Sequence, residues 1–167
     1  MISARSGHPG APQRTGYGAL ACALVAAALG LAGCGGGGGQ LTKSEYQEKL
    51  QSGGTRLTTA VQQLTRATSK DEFERNVGEV QHALDSVADS LDGVTPPSDV
   101  AGANDRLVHG LRGLANDFGQ VKAAADEGID AATRKAREIT TGSASREARQ
   151  AIEELKRHGY DVGQLET

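Results

Sequence analysis

Tryptophan is absent from this 167-residue chain, and three tyrosines and two phenylalanines are its only aromatics, so any core must be aliphatic. Two cysteines are too few for a disulfide-dense scaffold or a four-thiolate zinc site. Basic charge is not in excess: 18 lysines and arginines against 21 acids give a net charge of −3. The basic residues alternate with acids, which excludes the positive stripe of a nucleic-acid binder. No Gly-x-x-x-x-Gly-Lys phosphate loop and no Gly-x-Ser-x-Gly nucleophile elbow occurs. The glycine run at 35–39 has no strand before it and is no nucleotide loop. No repeat of solenoid period is evident. The length suits one domain.

What the chain does have is an unlike beginning. Residues 1–33 carry Arg5 and Arg14, no acid, and an apolar run from Ala19 to Ala32. A basic start, a run of about 7–15 apolar residues and small residues at its end predict a secretory signal peptide. The run is short for a membrane span, which needs roughly 20 residues. No Arg-Arg pair precedes it, which favours general secretion over the twin-arginine route.

Leu31-Ala32-Gly33-Cys34 ends that run and resembles the lipobox of bacterial lipoproteins. The resemblance implies a diacylglyceryl group on the Cys34 sulfur and cleavage between Gly33 and Cys34. Two acyl chains hold a protein stably at a bilayer where one does not. The expectation is therefore a lipid-anchored protein at the cell membrane, facing the extracytoplasmic side. Residues 34–40 then read as the lipidated cysteine and a glycine-rich flexible tether. Cys22 leaves with the signal and Cys34 is consumed, which excludes thiol catalysis and cysteine metal sites. Removing residues 1–33 leaves 134 residues and moves the balance from −3 to −5, because that segment holds two arginines and no acid. A mildly acidic domain gains nothing from an anionic surface, so the lipid anchors alone.

Residues 41–167 read as all-α, an antiparallel helical bundle of three long helices plus one or two shorter C-terminal helices. Thr42-Lys43-Ser44-Glu45 is a capping box, followed by a stripe of Tyr46, Leu50, Leu57, Val61 and Leu64. Gly53-Gly54 is the point where this helix would kink or split. Ser69-Lys70-Asp71-Glu72 reads as a second capping box, ahead of Phe73, Val77, Val80, Leu84, Val87, Leu91 and Val94. Thr95-Pro96-Pro97-Ser98 ends that helix, and either Thr95 or Ser98 caps the next. Its stripe is Val100, Leu107, Leu111, Leu114, Phe118, Val121 and Ala125, stopped by Gly128. A short helix over Asp130 to Thr140 carries Ala132, Ala136 and Ile139; a last one starts near Ser143 or Ser145 and buries Ala148, Ile152 and Leu155. His158-Gly159 stops it, and Tyr160, Val162 and Leu165 fold back on the bundle.

Leu41-Thr42-Lys43-Ser44-Glu45-Tyr46, Thr95-Pro96-Pro97 and His158-Gly159-Tyr160-Asp161 resemble segments of small helical lipoproteins from high-GC Gram-positive bacteria. That resemblance implies an address and structural roles, with no activity attached.

Candidate chemistry is sparse. Glu79-x-x-His82 has the spacing of a di-iron ligand pair, but no second such motif occurs, and both residues flank the apolar stripe. His82, Asp85, Asp89 and Asp92 line up along one helix, and a straight helix cannot wrap carboxylates around a cation. His109 stands among Asp105, Arg106 and Arg112, and His158 at a helix end, neither with a visible partner for acid–base work. No metal, cofactor or catalytic residue is expected. The sequence points to an interaction or scaffolding role with an envelope protein partner. The alternative is a small-molecule or lipid-binding cavity between helices, widened by Gly53, Gly102, Gly110 and Gly113.

Overall fold

A computed structural model describes residues 39–166. The expected signal peptide, Gly33, Cys34 and the first glycines of the tether lie outside the described residues, as does Thr167. The described residues are helical, with no β-strand among them. The helices are α1 (Lys43–Thr65), α2 (Lys70–Asp92), α3 (Ala101–Glu127), α4 (Ile129–Thr141) and α5 (Ser143–Arg157), followed by a 3-10 turn (Gly163–Glu166). None is long and apolar enough to cross a membrane.

The starts of the helices show where local rules hold. At α1 the capping box is complete: Thr42 Oγ1 accepts from the Glu45 N–H, and Glu45 accepts from the Thr42 N–H at 2.8 Å. At α2 only half of the expected box forms. Ser69 Oγ accepts from the Glu72 N–H, but the Glu72 carboxylate reaches one residue further back, to the Thr68 N–H at 2.9 Å. Neither Thr95 nor Ser98 caps α3. Its N-cap is Val100, without a side-chain bond, because a turn closed by Val100 N–H to Pro97 O delays the start.

Two other expectations change. Gly53-Gly54 does not split α1, which is continuous; both glycines are buried close-approach points. A Cβ on Gly53 would meet Val87 of α2 at 2.8 Å, and one on Gly54 would meet the Leu165 backbone nitrogen at 2.9 Å. Val61, expected on the buried stripe, is 44% exposed because α5 does not cover that part of α1.

Packing runs through α2 and α3, whose stripes meet along their length. α1 packs on α2 and on the 3-10 turn, while α4 and α5 both pack on α3. The main core gathers Tyr46, Leu50, Leu84, Leu91, Leu107 and Leu155. A smaller cluster of Val77, Val121, Ala125, Ala132 and Ile139 joins α2, α3 and α4. Gly110 and Gly113 bring α3 against α5: added Cβ atoms would meet the Ala148 nitrogen at 2.8 Å and Ala148's neighbour in register, Ala144 Cβ, at 2.7 Å. These glycines tighten the interior, contrary to a widening role. Gly102 is open, with only the Arg106 guanidinium near it.

Candidate functional site

The acidic strip of α2 is divided. Glu79, His82, Asp85 and Asp89 are all exposed. Asp89 and Asp92 are tied to α3, where Arg112 Nη2 donates to both, at 3.0 and 2.9 Å. Among the described residues no group of three or more His, Cys, Asp or Glu side chains comes together as a metal would require. His109 has a partner that the sequence did not offer: Glu147 of α5, with Nδ1 at 2.6 Å from Oε2. Arg106 pairs with Glu154 of the same helix. His158 Nδ1 is 3.6 Å from Asp99 Oδ2. Both histidine partners lie tens of residues away in sequence, and only the packing of α5 and its tail on α3 reveals them.

The segments around Tyr46, Thr95 and Tyr160 converge where the described chain begins. Leu41 N–H donates to Thr95 O at 2.8 Å, and Gln40 Nε2 donates to Pro96 O at 3.2 Å. Tyr46 is fully buried and its hydroxyl donates to Asn104 Oδ1 at 2.8 Å. Its ring meets that of Tyr160 edge to face, with centroids 5.8 Å apart. Tyr160 OH donates to Asp99 Oδ1 at 2.9 Å, while Lys43 Nζ lies 4.5 Å over the Tyr160 ring and donates to His158 O. Burial, with Tyr160 and Asp105 nearby, raises the Tyr46 phenol well above its ordinary range. Burial and the bond to Asp99 push the Tyr160 phenol up to about 12. Both hydroxyls stay protonated and committed at neutral pH, so this cluster welds α1, the α2–α3 corner and the tail together.

The concave feature with an apolar lining is elsewhere. α1 and α5 are not extensively packed on each other, and a groove of about 330 Å³ runs between them. Leu57 and Val61 form one wall, Ala148 and Ile152 the other, and Leu84, Leu111 and Leu114 the floor. Leu165 and Gln164 of the 3-10 turn close one part of it. Two polar groups of α5, Ser145 and Arg149, border it one helical turn apart. Arg149 donates one Nη2 bond to Thr140 O at 2.9 Å and is the single charged side chain of the lining. Ser145 is only 8% exposed, and no hydrogen bond is formed by its side chain. Ser145 lines the groove, and no buried side-chain polar atom among the described residues lacks a partner, so its hydroxyl is reached by solvent rather than sealed in the core. A second recess, about 420 Å³ between α1 and α2, is rimmed by Glu45, Glu48, Lys49 and Arg56, and its mixed charge marks no ligand class.

No protein-family model, curated protein or solved structure matches this chain.

Proposed function

We propose that the chain is a lipid-anchored, extracytoplasmic helical protein of the cell envelope, held through Cys34, with an interaction role and no catalysis. The observation that carries the reading is Leu31-Ala32-Gly33-Cys34 at the end of an apolar run, followed by a glycine run and then a helical domain. The domain reads as an antiparallel bundle of three long helices completed by the two shorter ones. In support, Gly110 faces Ala148 and Gly113 faces Ala144, so numbering falls along α5 as it rises along α3. Between α1 and α2, Gly53 faces Val87 while Asn76 Nδ2 donates to Gln63 O, again in opposite order.

Non-catalytic action is supported by where the titratable groups go. His109 and His158 face Glu147 and Asp99, the phenols are protonated, and His82, His109 and His158 all lie off the groove lining. The groove favours a second reading, in which the interaction is with a small apolar molecule. Its volume is at the lower end of the roughly 300–1,000 Å³ of ligand pockets.

Anchoring is tested by mass and fractionation in a bacterial host. The expected outcome is a membrane-bound product that starts at Cys34 and carries the diacylglyceryl mass. Cys34→Ala should abolish both the added mass and the processing. An unchanged mass and an unchanged membrane fraction in that variant would refute the reading.

A further inference from the structure

We propose that the groove between α1 and α5 binds a fatty acid, with the chain on the leucine floor and the carboxylate at Arg149 and Ser145. This rests on the second reading above, small-molecule binding in the groove. Three features select that ligand. The floor of Leu84, Leu111 and Leu114 offers a chain no hydrogen-bonding group, and Val61, 44% exposed, extends the apolar wall to the rim. A volume of about 330 Å³ admits one chain and not the two of a diacyl lipid. The third feature is charge: Arg149 is the single ionic side chain of the lining, and its guanidinium fork matches a carboxylate.

Ser145 makes the site more than an apolar trough with a cation at its rim. The residue is more than nine-tenths buried, its hydroxyl makes no hydrogen bond within the protein, and it lies one turn from Arg149 on the α5 face that lines the groove. A hydroxyl so enclosed has a donor to give to whatever fills the groove. With Arg149 its one cation and Ser145 its buried hydroxyl, and with Thr58, Gln62 and Gln164 neutral, the lining balances a monoanionic head, whereas a phosphate dianion would keep one charge uncompensated. A neutral chain would leave both unused.

The test uses the full chain, membrane-extracted and reconstituted in nanodiscs, with a diazirine-bearing palmitic acid as the probe. Photolabelling followed by peptide mapping should place adducts on peptides holding Val61 and Ile152. Unlabelled palmitate should compete, and hexadecanol should compete about tenfold less well. Arg149→Glu, at an exposed site that leaves the core intact, should lower labelling about tenfold, and Arg149→Lys should restore part of it. Val61→Glu should reduce labelling with palmitic acid and with a hexadecanol probe alike. Equal labelling by hexadecanol would overturn the carboxylate site while leaving an apolar groove. Absence of groove adducts with either probe would overturn the second reading as well. Cross-linked dimers joined through the groove would assign it to a second copy and overturn the proposal. Repeating the labelling in Cys34→Ala separates it from the anchor, because groove adducts should persist there.

Discussion

Tyr46 shows how one polar atom can be kept in an aliphatic core. Its ring fills the α1 stripe while its hydroxyl satisfies Asn104, which is only 3% exposed. Tyr46→Phe should cost about 1–3 kcal/mol in urea unfolding, because the amide oxygen is left buried and unpaired. Replacing both, as Tyr46→Phe with Asn104→Leu, should recover part of that loss. The same neighbourhood sets an alkaline limit. The Tyr160 phenol is raised from 10.0 to about 12, so folding favours its protonated form. That contribution is whole below about pH 10 and falls away as pH climbs through about 12. Thermal melts between pH 9 and pH 12 should therefore decline with pH, and Tyr160→Phe should flatten part of the slope. At this scale the sequence was half legible. Periodicity assigned Tyr46 to the core, but Asn104 is a polar residue inside an apolar stripe, and its partner lies 58 positions away.

Among the elements, the glycines divide by what faces them. Gly110 is pressed on the Ala148 backbone, which has no rotamer by which to yield. Gly110→Ala should destabilise by about 1–3 kcal/mol despite alanine's better helix propensity, since α3 and α5 must separate. Gly78 in α2 has nothing within 4 Å of an added Cβ. Gly78→Ala should stabilise by about 0.5–1 kcal/mol through propensity and loss of unfolded-state freedom. Matched denaturation curves distinguish the two. Helix existence was readable from spacing alone, while the break expected at Gly53-Gly54 is absent and Val61 leaves its stripe. The caps were less so: Glu72 chose Thr68 over Ser69, and α3 starts without a side-chain cap. Those outcomes depend on the path of the connecting chain. The groove was illegible for a related reason. Val61 has the right spacing for burial, and the lack of extensive packing between α1 and α5 leaves it uncovered.

For the whole molecule, the tail after α5 governs how α1 is held. α1 packs on α2 along one side and on the 3-10 turn, whose backbone sits against Gly54, while Tyr46 ties its first turns to Asn104 of α3 and to the Tyr160 ring. Tyr160 and Val162 are 4% and 1% exposed, so the tail is an integral part of the core. Burial of each such side chain is worth about 1.5–3 kcal/mol, which makes the tail a large share of a stability of about 5–15 kcal/mol. Truncation after Gly159 should therefore lower the urea midpoint sharply. It should also strip α1 of the Tyr160 ring, the Lys43 contact and the cover on Gly54. Native-state hydrogen exchange should then show α1 opening before α2 and α3, which keep their mutual face. In the intact chain, the half of α1 beyond Leu57 should already exchange faster than the half around Leu50, because the groove exposes it. A fatty acid in the groove would cover that half, and the same measurement with palmitate present should slow its exchange. Uniform protection along α1 in the intact chain would mean that the groove is closed in solution, and the site with it.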